Sequence, residues 1–396
     1  MPVPGVARDR LRPSYDVVVV GAGVQGLALA YELARRGVRD VCVVDAGYPG
    51  GGASGRNGEL IRSAFSSVEW ARLFDLSLRR WHGLSAELGF NVLFTAAGYL
   101  ILAATEEELE ACRGFAARHR ELGISTSLLA ADEVLELAPE LAPDLVAGGL
   151  YQADGGFAHH DAVVWGYARA AARLGVAIHP FTRVIGIALE RTKVAGVATT
   201  RGDVSTRLVV DAAGGHARDV AALAGVDVPT KTYRLEAIVT ESLAPFLRPA
   251  LAVPRLLGYS HQTTRGELVA GTEQAVMQPS ASLNTTLRSL RDLAQKFTRL
   301  MPRLAGARVV RHWAGIVDVT ADLGPVPGPA PEVDGLVLNC GWVYGFMGAP
   351  GAGLLLAEAI ESGRTPDPIV PFSLERLRTG AYVKESSLVV ADAVPA

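Results

Sequence analysis

The chain has 396 residues, 49% of them hydrophobic and 20% charged, enough apolar material for two or more cores and too ordered a composition for wholesale disorder. A formal net charge of -3 with scattered basic residues provides no global positive field for nucleic acid or an anionic membrane. Cys42, Cys112 and Cys340 form no CxxC or CxxH pair, which argues against a disulfide framework, a structural zinc or an iron–sulfur cluster. No metal site is expected, and the cytoplasm is the expected compartment. Met1 to Ser14 carries Arg8, Arg10 and Arg12 without a following apolar region and cleavage site, so it reads as an unprocessed tail. No run reaches the roughly 20 apolar residues that span a membrane.

Tyr15 to Val20 reads as a strand, and Gly21-Ala22-Gly23-Val24-Gln25-Gly26 turns it into a helix that runs to Arg36. A second apolar run, Val41 to Val44, ends at Asp45 and Ala46. This is a complete βαβ dinucleotide fingerprint. Gly21 permits the tight turn, Gly23 lets backbone approach a pyrophosphate, and Gly26 lets helix and strand pack closely. The phosphates are expected at the helix N-terminus beside Ala22, Val24 and Gln25, with Asp45 on a ribose hydroxyl. The glycine-rich stretch Tyr48 to Gly58 follows at once. It reads either as a solvent loop or as a loop laid along a long cofactor by Gly52, Ala53, Ser54 and Asn57, with Arg56 reaching phosphate.

Further along, Val68 to Leu88 predicts a helix burying Trp70, Leu73, Leu76, Leu78 and Trp81. Leu93 to Ala103 predicts strands, and Glu106 to Leu122 and Ala131 to Leu137 predict amphipathic helices. A second cycle starts near Gly149: a strand, the helix Asp161 to Leu174, strands Ala177 to Ile187 and Val194 to Thr200, then Leu208 to Gly215, a strand closing in a turn at Ala213 and Gly214. The helix Ala217 to Gly225 follows. Pro229 to Thr272 predicts strands, including Leu256 to Gln262 and Glu267 to Gly271, and Ser280 to Phe297 a helix. Gly335 to Gly341 is another strand ending in glycine, and Gly348 to Gly353 opens the helix Leu354 to Ser362. The nucleotide fold is thus entered three times, with a second, antiparallel-rich unit interleaved.

These segments together resemble the FAD-dependent amine and amino-acid oxidase family that includes glycine oxidase, D-amino-acid oxidase and monomeric sarcosine oxidase. The motifs are the glycine fingerprint with Asp45, the loop Gly52 to Ser63, the turn Val210 to Gly215 and the segment Asn339 to Gly353. Within the family the chain is most similar to the beta-subunit group of heterotetrameric sarcosine oxidases. That likeness rests on Ser54 to Asn57 with Ile61 to Ser63, His160 to Arg169, Trp313 to Asp318, Cys340 to Trp342 and Pro371 to Gly380.

The resemblance implies an α/β fold: a Rossmann-like FAD-binding domain of the glutathione-reductase type (1–88, 149–228, 312–396) and an interleaved α+β substrate domain on a mostly antiparallel sheet (89–148, 229–311). It implies oxidation of a secondary or primary amine to an imine, with hydride passing to flavin N5. It places Val184, Gly345 and Phe346 at the FAD and turns the terminal helix N-terminus toward the flavin's negative edge. Arg62 aligns with the arginine that binds carboxylate, and its ordinary alternative is a surface cation. Tyr259 and His261 fall where the family places substrate-pocket residues, though both also suit strand packing. Trp313 and Tyr344 read equally as aromatic walls or core. Two departures bear on substrate. Met347 stands where sarcosine oxidases carry lysine, and Glu59 where the heterotetrameric relatives carry threonine, which suggests a different or bulkier amine, for example one with a second cationic group near Glu59. His160 reads either as a helix cap or, by resemblance, as the covalent anchor of FMN, which would bring alpha-type and small partner subunits. The alternatives are a stand-alone glycine-, proline- or opine-type oxidase or dehydrogenase, and a non-catalytic flavin electron-relay subunit.

Overall fold

The computed structural model describes residues 10–272 and 278–387. Val17–Val20 is buried throughout and pairs in parallel with Val41–Val44 on one side and Leu208–Asp211 on the other. These strands lie in a six-stranded sheet ordered Val326–Pro329, Leu336–Cys340, Leu208–Asp211, Val17–Val20, Val41–Val44, Ala177–His179, parallel except at the Val326–Pro329 edge. Strand alternation divides the side chains between two cores. Val17, Val19, Val41 and Val43 pack with Leu27, Val164 and Leu355 from the helices Val24–Arg35, His160–Arg173 and Gly345–Ser362. Val18, Val20, Cys42 and Val44 pack with Val184, Ile187, Val197 and Val204 of a three-stranded antiparallel sheet. A sheet covered on both faces explains why its strands are nearly pure β-branched runs.

The second large sheet has eight strands, in the order Val309–Val319, Lys231–Ser242, Glu267–Thr272, Gly258–Gln262, Ala250–Val253, Tyr99–Ala103, Gly148–Gln152, Ser127–Ala130. Its neighbours are antiparallel apart from Ala250–Val253 beside Tyr99–Ala103. Leu100, Leu102, Ile238, Leu251 and Leu268 on one face meet Val134 of helix Ala131–Leu137 and Leu293 and Phe297 of helix Leu287–Leu300. Tyr99, Ile101 and Tyr233 on the other face join the core of the nucleotide half.

Several expected boundaries move. The expected divisions at 149 and 312 fall inside strands of the eight-stranded sheet. Only Tyr99–Ala103 of the 93–103 stretch is regular strand, because Gly98 takes a left-handed turn just before it. The strand read from Leu256 starts at Gly258, after Leu257 at φ 49°. The helix read from Ser280 starts at Leu287, because the Glu236 carboxylate captures the Thr286 N–H at 2.8 Å while Thr286 Oγ1 caps the first turn. The terminal helix starts at Gly345, ahead of the expected Gly348. Among the described residues no helix is long and apolar enough to cross a membrane.

Candidate active site

A cavity of about 600 Å³ runs between the two large sheets, from the glycine turn to the strand Gly258–Gln262. At one end stand Gly21, Gly23, Val24 and Gln25 with Asp45 and Ala46. A Cβ on Gly21 (φ 114°) would overlap the Ala212 carbonyl, and one on Gly26 the Gly21 carbonyl. The turn therefore requires glycine at both positions. Gly26 and Ala22 lie behind the cavity wall. Ala22 acts through its N–H, which donates to Asp45 Oδ2 at 2.7 Å, while Gly47 N–H donates to Oδ1 at 2.7 Å. Burial raises the Asp45 carboxyl and these two N–H groups oppose the shift. Each oxygen keeps an acceptor site for a ribose hydroxyl.

The loop predicted to follow the cofactor does line the cavity through Gly52, Ala53, Ser54, Arg56 and Asn57, and Val184, Ala213 and Gly214 line it opposite. Ser54 Oγ accepts the Val24 N–H at 2.9 Å, a cap supplied from outside the helix. The Arg56 guanidinium reaches the carbonyls of Gly51 and Ala314, and the Arg56 carbonyl accepts Trp313 Nε1–H at 3.0 Å. Trp313 thus braces the loop from outside the cavity.

Gly345, Phe346 and Met347 open the terminal helix against the cavity, and their N–H groups have no acceptor further back in the helix. Gly348, Gly351 and Gly353, expected to form that mouth, are instead contact points. Their would-be Cβ atoms fall at 2.9 Å from Trp342, 3.1 Å from Ser77 and 2.9 Å from Ala28. The Met347 carbonyl accepts Ser77 Oγ–H at 2.6 Å and Trp81 Nε1–H at 2.9 Å, which fixes the helix start. Two buried polar atoms on cavity-lining residues, Gln25 Oε1 and Asn339 Nδ2, have no partner among the described residues. A polar, elongated cofactor fits this set: a helix N-terminus at one end and another at the middle, an acid at the ribose position and orphaned polar atoms between.

Beyond the terminal helix the wall is Glu59, Tyr99, Tyr259, Tyr344 and Met347. Tyr259 is wedged between Gly58 and Gly271, where any Cβ would strike its ring. Glu59 is buried with both oxygens engaged. Oε1 accepts the His160 N–H at 2.9 Å and meets His160 Nδ1 at 2.5 Å, and Oε2 lies 3.3 Å from His261 Nε2. Burial raises a carboxyl, but the two histidines outweigh it and hold Glu59 well below the usual range. Glu59, the residue expected to meet a substrate cation, thus lies on the cavity wall with histidine nitrogens against both its oxygens. His261 is fully buried, stacked on Phe157 at 4.4 Å, and His160 begins its helix with its side chain 21% exposed; neither lines the cavity. Arg62 is also off the cavity and 1% exposed, which excludes the surface-cation alternative.

Sequence reading missed Tyr99, Glu236, Asp318, Asn339 and Trp342, all on the cavity wall. Asn339 Oδ1 accepts Trp342 Nε1–H at 2.7 Å, a bond inside a motif that had carried only the family likeness. Glu236 pairs with Arg234 two residues away at 3.3 Å, but the partners that tie it to the helix start and the neighbouring strand, Thr286 and His312, are distant in sequence.

The family model described as FAD dependent oxidoreductase matches residues 16–359. The chain is 34% identical to the sarcosine oxidase subunit beta of Rhodobacter capsulatus, over 94% of this chain and 91% of that one. It is 35% identical to the sarcosine oxidase subunit beta of an Arthrobacter species, over 96% and 95%. The crystal structure of L-proline dehydrogenase from P. horikoshii superposes with a TM-score of 0.90 at 28% identity, covering 94% of this chain and 100% of that one. A cavity with a dinucleotide turn at one end, an open helix N-terminus at its middle and this sequence kinship lead to one conclusion: the chain belongs to the FAD dependent oxidoreductase family.

Proposed function

We infer that this oxidoreductase oxidises a secondary or primary amine, of the sarcosine or small amino-acid class, to the imine, as the catalytic beta-type subunit of a multi-subunit enzyme. The observation that carries the reading is the single cavity joining the Gly21–Asp45 end to the Tyr259–Met347 end past the free N–H groups of Gly345, Phe346 and Met347. When bound, FAD supplies the hydride acceptor. The chain's own residues do the rest. The terminal helix N-terminus stabilises negative charge at its mouth. Tyr259, Tyr344 and Phe346 orient the amine and exclude water, and Arg62, one ring layer behind, is the cation for a carboxylate.

His160 is the proposed anchor for a second flavin, FMN. Glu59 occupies Nδ1, so Nε2, 3.5 Å from Asp161 and partly exposed, is the nitrogen left for a flavin bond. A flavin at this open position calls for partner subunits to organise its electron acceptor, and the relatives named as subunits of sarcosine oxidase support that assembly. The test is an absorption spectrum before and after acid precipitation, with an anaerobic panel of amines. Bleaching by at least one amine, FAD in the supernatant and yellow colour retained in the pellet are expected. No bleaching by any amine would leave the electron-relay alternative standing. Colour retained by a His160→Ala variant would remove His160 as the anchor.

A further inference from the structure

Arg62 is 1% exposed, its guanidinium lies 3.9 Å from the Phe65 ring centroid, and its hydrogen-bond partners among the described residues include no carboxylate. A buried cation that pairs directly with no carboxylate among the described residues is costly, so the groups that quench it matter. They are neutral oxygens: the Ala64 carbonyl, the Ser387 carbonyl at 3.0 Å and the Ser387 hydroxyl at 3.2 Å, while Arg62 Nε has no acceptor among the described residues. Ser387 thus presents two oxygens to one guanidinium, the layout of a carboxylate without its charge.

That placement is built by its neighbours. The Glu385 carboxylate accepts the N–H groups of Ser66, Ser67 and Ser387 and the hydroxyls of Ser66 and Ser387. The Ser386 N–H is held by Ser66 Oγ at 2.9 Å and the Val383 N–H by Asp322 at 3.0 Å. On its other side Arg62 faces Tyr99 and Tyr344, at 5.4 and 5.8 Å from their centroids, and both rings line the cavity.

We propose that Val383–Ser387 is a substrate-displaced latch: Ser387 holds Arg62 in the place of a substrate carboxylate, so Glu385 and Ser387 set how strong a carboxylate must bind to be accepted. The proposal rests on the reading of Arg62 as the carboxylate cation. A carboxylate brings the missing charge and displaces Ser387. The chain's own segment lowers apparent affinity by the fraction of molecules unlatched.

The test titrates the FAD-loaded protein with methoxyacetate, a non-reacting carboxylate, and with methoxyacetamide as the uncharged control. Flavin absorbance reads binding, and amide exchange at Ser386 and Ser387 reads the latch. Methoxyacetate is expected to speed exchange at both amides in the unaltered protein, and the amide is not. Ser387→Ala and Glu385→Gln are expected to tighten methoxyacetate binding by roughly three- to ten-fold, with little change for the control. If methoxyacetate binds but exchange and the variants' affinities stay unchanged, the latch is overturned and the reading of Arg62 survives. If Arg62→Gln binds methoxyacetate as well as the unaltered protein does, that reading fails and the latch fails with it.

Discussion

The buried Glu59 carboxylate and the half-buried His160 are joined twice, by the ring at 2.5 Å and by the backbone N–H at 2.9 Å. Burial lowers the His160 imidazole, but the Glu59 carboxylate outweighs it and raises the net value above the ordinary one. The sign of the linkage follows. The raised histidine contributes stability that is complete below about pH 6.5, its unfolded value, and is lost as pH rises through its folded value. The depressed Glu59 contributes above about pH 4.5 and loses it only in stronger acid. A Glu59→Gln variant should therefore melt below the parent most clearly near about pH 5.5, with the gap narrowing toward about pH 9. Melting curves across that range decide it, and a gap independent of pH would remove the ion pair as its source.

The dinucleotide turn makes a sharper steric prediction. A methyl at residue 26 would enter the Gly21 carbonyl, with Val19 Cγ1 at 3.1 Å and Ala212 Cβ at 3.3 Å closing the sides. The Gly21 carbonyl is backbone and cannot yield without moving the turn that follows the strand Val17–Val20. Gly26→Ala should cost roughly 1–3 kcal/mol of stability and, by shifting the turn, most of the FAD content. Flavin-to-protein absorbance after purification measures the second effect. Full FAD content at unchanged melting temperature would contradict the packing argument.

What the sequence disclosed and what it hid divide along the range of the interactions. The unbroken apolar run Val17–Val20 and the glycines of the turn are local, and their pattern is readable residue by residue. The start of the terminal helix was not, because its N-cap is Tyr344 with no side-chain cap, and its anchors Ser77 and Trp81 come from a distant helix. Glycines at 348, 351 and 353 looked like a cofactor mouth because close helix packing and close cofactor approach demand the same missing Cβ. The role proposed for Arg62, a cation for the carboxylate, came only from likeness. Nothing near it in sequence announces that Ser387 lies against it.

The C-terminal segment depends on a buried pair elsewhere. Arg376 Nε and Nη2 donate to Asp322 at 2.8 and 2.9 Å, and Asp322 also accepts the Val383 N–H at 3.0 Å. Burial raises the Asp322 carboxyl, yet Arg376 outweighs it and holds it below the ordinary value. Asp322→Ala would strand the guanidinium in the core at a cost of about 3–5 kcal/mol and free the strap at Val383. The expected readout is a large fall in melting temperature together with early proteolytic trimming after residue 380. Destabilisation without trimming would show that Glu385 alone fastens the segment.

Met347 offers the most direct test of specificity. Its side chain lines the cavity at 5% exposure, and its carbonyl is pinned by Ser77 and Trp81, so a replacement side chain starts from a fixed backbone. Met347→Lys would place an ammonium there, against two costs. Burial favours the neutral amine, and the positive end of the helix dipole repels a cation. An unliganded variant should therefore be less stable than the parent, by roughly 1–2 kcal/mol. A carboxylate beside it would offset both costs, so KM for an N-methyl amino acid should fall while KM for a carboxylate-free amine rises. The opposite movement, or equal changes for the two substrates, would mean that the carboxylate end of the substrate does not lie beside residue 347.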